Sequence, residues 1–571
     1  MGSLAIAMES IGAPAIREER RSADAIVETM LSLGVDRVFG IPGGAISGVF
    51  DAMIHSRIDV VICQHEQMAA YMAYGYARAT GRPAAVAVTA GPGVLNTLTS
   101  VAAAYKDEVP MLVLAGDVRT PVAGMGALQD GGVDGLDIIT MMKSITKFAD
   151  TLKQPERAVA LVSDAVTAAM AHPRGPAFLR MPLDTTLAVV PSEPVRQAAL
   201  VETELDYVAC DEIATALALA ERPAIFLGIG ARTAELGPGV LQLAERLRCP
   251  VICDVEAKGM FPEGHSLSLG LFGVGGNGAS AAYLRTCDAL LTIGARLDDT
   301  TTNGFSALLQ PKDGFLGQID HDARRLGRAY NPTVSIASDL LAALTVIESR
   351  VVFPTSITVM NREAAILKAR SVTAPPLGVV PSLAPFDPRS IVSVLQDAMP
   401  ADTIWTSDIG NHLLAASRYL QLDAPRRFHA SVGLGGMGSG IGVAMGLAMA
   451  HDRDQTVVGI CGDGSLRMVG SEIATCAKYN IPVVLAVFND ARFGMVAHGM
   501  DKVYGRVAWC DSPDVDVVKF AESLGARAVR IETVEDFVFA ASLVGKGPLV
   551  LDIPIDPDVR ISNPRNETLA H

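Results

Sequence analysis

The sequence lacks the features that mark several large classes of protein. Its eight cysteines show no metal-ligand spacing, and the nearest approach to one, Cys249 to Cys253, is predicted to be a single buried strand. Scattered cysteines in apolar runs favour a reducing compartment. No apolar run approaches the roughly 18 residues of a membrane-spanning helix, so no span is predicted.

The sequence also has no excess of basic residues. The chain has 47 basic and 62 acidic residues, and its net charge of −15 argues against a nucleic-acid partner. Residues 1–19 lack the basic start and the apolar stretch of a signal peptide, so none is expected. We therefore predict a cytoplasmic protein that binds neither nucleic acid nor membrane.

Glycine, by contrast, is abundant and evenly spread. The 53 glycines and 32 prolines among 571 residues suit many turns between strands and helices. Strand-like and helix-like runs alternate in three blocks, which predicts an α/β fold of three doubly wound parallel-sheet domains, at 20–188, 205–345 and 386–558. Linkers are predicted at 186–204 and 346–385, and the polar tail is expected to be disordered or to act as a lid.

Residues 457–490 are the most informative stretch. A strand-like run ends in the Gly-Asp-Gly turn at 462–464, and after a helix-like segment near 469–479 a second strand-like run ends at Asp490. Parallel strands end at one edge of a sheet, so Asp463 and Asp490 should lie side by side. The turn also offers backbone N–H groups to a phosphate. Because Mg2+ prefers a few carboxylate oxygens plus phosphate oxygens, the stretch predicts a magnesium-diphosphate site.

This spacing resembles the signature of thiamine diphosphate (ThDP) enzymes, in which Gly-Asp-Gly is followed after 24 residues by Asn-Asn or Asn-Asp. By that resemblance, Mg2+ is held by Asp463, Asp490 and the main-chain carbonyl of Arg492. Gly435 would accept the 4′-amino group of the cofactor, and Met437 would support its bent conformation. The remaining cofactor contacts that the resemblance implies in this block are Asn411, His412, Gly462, Gly464, Ser465, Phe493, Gly494 and Met495.

Glu66 is the candidate catalytic residue of the first block. It follows a strand-like run and precedes an apolar helix, so its carboxylate is expected in a poorly solvated place that raises its pKa. The alternative is an ordinary glutamate at a helix N-terminus. The segments GIPGG, HE and TAGPGVLN are similar to the pyrimidine-binding domain of ThDP enzymes, especially the acetolactate synthase group. In that group the glutamate contacts N1′ of the aminopyrimidine and promotes deprotonation of the reactive carbon.

Other residues of the first block follow from the same resemblance. It assigns cofactor binding to Pro42 and Asn96, and catalysis to Gly43 and Gly44 beside Glu66. The family's Phe-Gln-Glu segment aligns in two ways. Without an insertion it falls on 133–135, and with one it brings in Gln129, which is our catalytic candidate.

The resemblance covers about residues 22–560 and implies a reaction. We expect a ThDP- and Mg2+-dependent carboligase that decarboxylates a 2-keto acid, pyruvate first among them, and transfers the acyl group to a second carbonyl compound. A simple 2-keto acid decarboxylase is the alternative. Active sites in this family lie between two chains, so a homodimer or a dimer of dimers is expected.

Three features leave alternatives open. The central block resembles a domain that binds FAD in some members, with Arg296 in the matching segment, but a spacer without flavin is the alternative. Residues 433–438, GLGGMG, are a literal dinucleotide fingerprint, which keeps an NAD- or FAD-dependent oxidoreductase as a third hypothesis. Gly499 replaces a tryptophan of the acetolactate synthase pattern, which suggests room for a larger acceptor.

Overall fold

Three six-stranded sheets, each with parallel strands only, form the framework of the computed structural model. The fold class predicted from the sequence, three α/β domains, is confirmed. The structure describes residues 19–191, 193–195, 204–233, 235–372, 381–425, 427–451 and 455–562.

The first sheet has the strand order β3-β2-β4-β5-β7-β6, and β1 and β8 form a separate antiparallel pair. The strands are β1 (Glu19–Arg21), β2 (Arg37–Gly40), β3 (Asp59–Ile62), β4 (Ala84–Val88), β5 (Met111–Asp117), β6 (Phe148–Thr151), β7 (Pro176–Pro182) and β8 (Val189–Pro191). The helices are α1 (Ser22–Ser32), α2 (Ser47–Ile54), α3 (Glu66–Thr80), α4 (Pro92–Leu95), α5 (Leu98–Lys106), α6 (Ile138–Lys143), α7 (Ala158–Met170) and α8 (Leu183–Leu187).

The central sheet has the order β11-β10-β9-β12-β13-β14. Its strands are β9 (Pro223–Leu227), β10 (Val251–Cys253), β11 (Ser268–Leu271), β12 (Ala289–Ile293), β13 (Phe315–Asp320) and β14 (Val334–Ala337). The helices are α9 (Tyr207–Leu219), α10 (Leu236–Leu247), α11 (Gly278–Leu284), α12 (Leu340–Arg350) and α13 (Ser356–Arg370).

The third sheet has the order β16-β15-β17-β18-β20-β19, which is the order of the first sheet repeated. Its strands are β15 (Ile404–Ser407), β16 (Phe428–Ala430), β17 (Val457–Gly462), β18 (Val483–Asn489), β19 (Arg527–Arg530) and β20 (Leu549–Pro554). The helices are α14 (Pro388–Ala398), α15 (Asn411–Tyr419), α16 (Ser439–Ala450), α17 (Asp463–Val469), α18 (Ile473–Tyr479), α19 (Gly494–Tyr504), α20 (Val517–Ser523) and α21 (Asp536–Leu543).

These strand orders fix where ligands can bind. In a doubly wound sheet the crevice lies outside the carboxyl ends of the strands, where the winding direction reverses. In the first sheet that point lies between β2 and β4, and in the third between β15 and β17. The segments after those four strands carry about half of the site residues that the sequence predicted.

The first and third domains pack through a crossing of α3 and α16. At this crossing glycines replace side chains, because the two backbones nearly touch. A Cβ on Gly75 would lie 2.2 Å from the carbonyl oxygen of Val443, and one on Gly446 would lie 2.0 Å from that of Met72. The crossing therefore fixes α3, and with it Glu66 at the first position of this helix, relative to the third domain.

The structure departs from two local predictions. The stretch 346–385 was predicted as an irregular linker, but α12 extends into it and α13 lies within it, burying Arg362, Ile366 and Ala369. The helix predicted near 469–479 is present as α18, but α17, which begins at Asp463 directly after β17, was not predicted. The predicted linker 186–204 and the tail extend in part beyond the described residues.

All eight cysteines are buried and free of disulfide bonds. Cys253 ends the buried strand β10, as predicted for that run, and Cys249 lies just before it. Among the described residues, no helix is both long enough and apolar enough to cross a bilayer.

Candidate active site

A cavity of about 130 Å³ lies at the reversal point of the third sheet. Its walls come from the segments that follow β15, β17 and β18. The residues that line it are Ile409, Gly410, Asn411, His412, Met437, Gly462, Asp463, Gly464, Ser465, Phe488, Asp490, Arg492, Phe493, Gly494, Met495, Val496 and Ile555. With the exception of Gly435, the structure thus brings together every predicted cofactor and metal residue of the third block.

Asp463 and Asp490 face each other across this cavity, as the parallel pairing of β17 with β18 requires. Burial raises the pKa of Asp463, while Arg467 opposes that shift by donating to its Oδ2 at 2.7 Å. Burial, followed by the nearby charge of Asp463, raises the pKa of Asp490 to about 7. Two carboxylates that destabilise each other's charge in a poorly solvated place form a site that favours a divalent cation.

The protein supplies few metal ligands at this point. Within the described part of the chain, no three His, Cys, Asp or Glu side chains come together as a metal cage. This is the arrangement expected for Mg2+, which binds through one or two carboxylates and completes its shell with phosphate oxygens and water. The residues present therefore fit a magnesium ion that is bound together with a diphosphate.

Two buried polar atoms in the same cavity lack a protein partner. His412 Nε2 and Ser465 Oγ make no hydrogen bond to any described residue. The two side chains are only 6% and 1% exposed. Because a buried polar atom without a partner is costly, both atoms point to an absent ligand rich in acceptors. Burial lowers the pKa of His412, while the charge and the backbone of Asp408 oppose that shift.

Gly464 separates the polar end of the cavity from an apolar wall. A Cβ on Gly464 would lie 3.0 Å from the ring of Phe493 and 3.4 Å from Met437 Cε. Phe493 and Met437 therefore leave a slot that only glycine keeps open. Gly435 lies two residues before Met437 in a left-handed conformation, with φ of +73°, and does not line the cavity.

Asn411 and Gly494 complete the wall beside Asp490. A Cβ on Gly494 would lie 2.5 Å from Asp490 Oδ2 and 3.1 Å from Asn411 Nδ2. Asn411 Nδ2 also lies 3.2 Å from Nδ1 of His498, on the helix α19 that Gly494 begins. The close approach explains why glycine follows Phe493 at the start of this helix.

The site residues of the first block form a second group, at the reversal point between β2 and β4. Asn96 Nδ2 donates to Glu66 Oε2 at 2.9 Å, and a Cβ on Gly93 would lie 3.7 Å from Glu66 Oε1. The side chain of Gln129 packs on the turn at Gly91. A Cβ added to Gly91 would lie 2.9 Å from the Cβ of Gln129.

The turn after β2 completes this group. It carries Pro42, Gly43 and Gly44, and a Cβ on Gly43 would lie 2.6 Å from Thr89, which follows β4. Val133, the alternative to Gln129 in the sequence alignment, is 82% exposed instead. The assignment of Gln129 as a catalytic residue stays a prediction.

The expected burial of Glu66 is not met within one chain. Its side chain is only partly buried, and no described residue of the first domain lines the cavity that holds Asp463. The physical reason is that α3 begins at Glu66 on a surface that the chain's own third domain leaves open. The two groups of site residues are thus both formed, but they do not share one cavity.

Glu472 is a functional candidate that the sequence analysis missed. This fully buried carboxylate accepts the backbone N–H of Gln64 at 3.0 Å and the hydroxyl of Thr475 at 2.6 Å. It therefore ties the segment before Glu66 to the third domain. No local signal marks it, because Gln64 is 408 positions away.

The sequence matches three domains of thiamine pyrophosphate enzymes. The N-terminal TPP binding domain matches residues 20–138, the central domain residues 210–347 and the C-terminal TPP binding domain residues 408–553. The chain is also 32% identical to the "Probable acetolactate synthase large subunit" of Methanocaldococcus jannaschii, over 94% of this chain and 92% of that protein. The chain belongs to the thiamine pyrophosphate enzymes.

Further relatives place this thiamine pyrophosphate enzyme near the acetolactate synthases. It is 30% identical to the acetolactate synthase isozyme 3 large subunit of Escherichia coli, over 89% of each chain. It is 29% identical to the acetolactate synthase of Mycobacterium bovis, over 95% of this chain and 89% of that one. Residues 433–438 lie inside the C-terminal TPP binding domain, so the dinucleotide hypothesis for GLGGMG is abandoned.

A second cavity, of about 760 Å³, lies between the first and central domains of this enzyme, where the family resemblance left FAD open. Three of its five arginines are paired with acids of the chain. Arg324 donates twice to Asp322, at 2.8 and 2.9 Å, and Arg325 pairs with Glu108. Arg296 pairs with carboxylates of two domains. Cations that are neutralised within the protein fit a flavin diphosphate poorly.

Proposed function

We propose that this chain is a ThDP- and Mg2+-dependent carboligase of the acetolactate synthase type. It decarboxylates a 2-keto acid, with pyruvate as the first donor to test, and transfers the acyl group to a second carbonyl compound. The observation that carries the proposal is the cavity in which Asp463 and Asp490 lie with His412 and Ser465, whose buried Nε2 and Oγ atoms lack a protein partner. The relatives named acetolactate synthase supply the class of reaction.

Each residue of the cavity has a role in this proposal. Asp463, Asp490 and the main-chain carbonyl of Arg492 hold Mg2+, which neutralises the diphosphate. His412 and Ser465 donate hydrogen bonds to the diphosphate oxygens. When bound, thiamine diphosphate supplies the carbon that adds to the keto acid and accepts the electron pair left by CO2.

Glu66 holds the proton that the aminopyrimidine ring exchanges. Its carboxylate is oriented by Asn96, whose amide donates to Oε2 at 2.9 Å. A general acid–base needs hydrogen-bond reach and a site that excludes water. Because one chain leaves Glu66 partly exposed, the remaining wall must come from elsewhere.

We propose that a second copy of the chain supplies that wall. The first domain of one chain would cover the third-domain cavity of its partner, so that Glu66 and Asp463 of different chains serve one cofactor. This makes a two-fold dimer, or a dimer of such dimers, the smallest active form. Support comes from the open surface at Glu66 and from a cavity without first-domain lining among the described residues.

Gly499 is proposed to set the size of the acceptor. It lies on α19, the helix that begins at Gly494 in the cofactor cavity, and a Cβ there would meet no described atom within 4 Å. A carbonyl acceptor larger than pyruvate would therefore find space on this side. Substitution to the family's tryptophan, Gly499→Trp, should narrow acceptor use toward small compounds.

We propose that the central domain is a spacer without flavin and that the protein is cytoplasmic. The paired arginines of the 760 Å³ cavity support the first statement, and eight buried free thiols support the second. Purified protein should show no flavin absorbance near 450 nm. A stoichiometric flavin would contradict the spacer role without touching the carboligase proposal.

The decisive experiment measures CO2 and products. Purified protein with ThDP, Mg2+ and pyruvate would be incubated alone and with a panel of carbonyl acceptors, with analysis by mass spectrometry. We expect CO2 release with a ligated product, and a loss of more than about 100-fold in Glu66→Gln, since general acid–base catalysis contributes roughly that much. Glu156→Gln, an exposed glutamate of the first domain, should keep full activity.

Two outcomes would change the proposal. An aldehyde as the sole product would favour the alternative, a 2-keto acid decarboxylase, in which a proton takes the place of the carbonyl acceptor. No turnover despite Mg2+-dependent ThDP binding would exclude pyruvate as the donor.

A further inference from the structure

The loop Ser431–Gly438, between β16 and α16, carries Gly435 and Met437 but has little structure of its own. Two of its glycines, Gly435 and Gly438, adopt left-handed conformations, with φ of +73° and +88°. Four of its eight residues are glycine, which costs more conformational entropy to order than any other residue. Such a loop keeps one shape only if its ends are held from outside.

The C-terminal end of the loop Ser431–Gly438 is held by Asp408, the residue that follows β15. This carboxylate is fully buried. It accepts the backbone N–H groups of Gly438 at 2.8 Å and Gly440 at 3.0 Å, and lies 3.3 Å from the hydroxyl of Ser439. An acid at the N-terminus of α16 is also favoured by the helix dipole.

Its N-terminal end is held by an acid of a different domain. Asp107 follows α5 in the first domain and is also fully buried. It accepts the hydroxyl of Ser431 at 2.7 Å and the backbone N–H of Gly433 at 3.1 Å. A Cβ on Gly433 would lie 2.2 Å from Asp107 Oδ1, so glycine is required for this contact.

The central domain supplies the charge that Asp107 needs. Arg296 Nη1 lies 3.1 Å from Asp107 Oδ1, and the guanidinium also contacts Glu256 at 2.5 Å and Asp298 at 3.2 Å. The fourth donor is the hydroxyl of Tyr74 on α3, which lies 3.1 Å from Oδ2. Each oxygen of Asp107 thus has two donors, as a buried carboxylate requires.

We propose that Asp107 is a positioning residue for the cofactor, which holds the loop of Gly435 and Met437 in its binding shape from the first domain of the same chain. Arg296 of the central domain pairs with Asp107, so all three domains of one chain meet at this point. The inference rests on the proposed function, because it assumes that the loop contacts the pyrimidine half of ThDP. The diphosphate half, at Asp463, is independent of it.

The test compares Asp107→Asn with a matched control, Asp36→Asn. Asp36 also accepts a tyrosine of α3, Tyr76 at 2.9 Å, and pairs with an arginine, Arg82 at 2.7 Å, but it does not contact the loop. Titration calorimetry of the cofactor-free full-length chain would measure the Kd of ThDP and of inorganic diphosphate, both with saturating Mg2+.

We expect Asp107→Asn to raise the Kd of ThDP at least tenfold and that of inorganic diphosphate less than twofold, while Asp36→Asn changes neither. If Asp107→Asn does not fold, Ser431→Ala, which keeps the Asp107–Arg296 pair, should raise the Kd of ThDP severalfold. A lower melting temperature with unchanged ThDP affinity in every foldable variant would overturn the positioning role alone. Failure of the wild type to bind ThDP would overturn the proposed function together with it.

Discussion

Asp490 lies in a poorly solvated cavity beside a second carboxylate, Asp463, and this raises its pKa to about 7. In the cofactor-free chain, the raised pKa of Asp490 contributes to folding stability at any pH below 3.8, the ordinary pKa of this carboxyl group. This contribution decreases as the pH rises and is lost once the pH has passed about 7. The proposed Mg2+ binding requires the ionised form, so below pH 7 a proton would compete with the metal.

This competition can be measured. In the presence of ThDP, the Mg2+ affinity of the wild type should weaken about tenfold from pH 8 to pH 6, since one pH unit below the pKa costs that factor. Asp490→Asn removes the titrating group and keeps an oxygen ligand of the kind that many family members have. Its Mg2+ affinity should change much less over the same range. Equal pH dependence in the two proteins would show that the diphosphate, and not Asp490, binds the competing proton.

At the residue scale, prediction from sequence succeeded where the partners are close along the chain. Asp463 and Asp490 belong to one strand-helix-strand unit, and His412 and Met437 carry family motifs, so all four were assigned and all four line one cavity. Asp107, Asp408 and Glu472 were missed. The role of a buried acid can be inferred only from the hydrogen-bond donors around it. For Asp107 and Glu472, such donors lie more than 300 positions away in the sequence.

At the scale of elements, both strands of the 457–490 unit were predicted, and β17 and β18 end at Gly462 and Asn489, within one residue of the turns expected there. The helix α13 was not predicted, because prolines at 354 and 375 suggested an irregular linker. Thr355 caps this helix by accepting the N–H of Thr358, and apolar residues lie on both of its faces. Without a clear amphipathic pattern, the proline signal prevailed.

The crossing of α3 and α16 leads to a prediction about glycine. Gly446→Ala places a Cβ 2.0 Å from the backbone of Met72, which cannot yield as a side chain could. We expect a loss of about 1–3 kcal/mol of stability, the usual cost of overpacking. The matched control is Gly499→Ala, the same change inside α19 where no described atom is near, which should stabilise by up to about 1 kcal/mol.

Calorimetric melting of the cofactor-free proteins would measure both changes. Opposite signs are expected for the two variants. A Gly446→Ala protein as stable as the wild type would mean that the two helices can separate at no cost, contrary to the contact described above.

At the scale of the whole molecule, the proposed sharing of sites between chains predicts complementation. Glu66→Gln and Asp463→Ala should each be inactive alone. A dimer with one chain of each kind keeps one intact site, so an equal mixture should recover up to about a quarter of wild-type activity after subunit exchange. Glu66→Gln mixed with Asn96→Ala, two variants of the same domain, should recover none.

Native mass spectrometry would establish that mixed dimers have formed. Mixed dimers that are as inactive as their parents would place the whole site within one chain. Three domains and their sheet type could be predicted from the alternation of strands and helices, whereas the proposed sharing of sites between chains came only from the family resemblance. Glu66 and Asp463 each carry a local motif, and nothing in a local motif states which copy of the chain completes it.

The pairing of Asp107 with Ser431 affects how the chain folds during its synthesis on the ribosome. The two residues are 324 positions apart, so at a synthesis rate of about 5–20 residues per second the acid emerges roughly 15–65 seconds before its partner. During that interval the apolar surface of α3, which later packs on α16, is also uncovered. Until α16 has been synthesised, the first domain therefore exposes this apolar surface on the ribosome. Slower synthesis lengthens the time during which that surface can pack against a wrong partner.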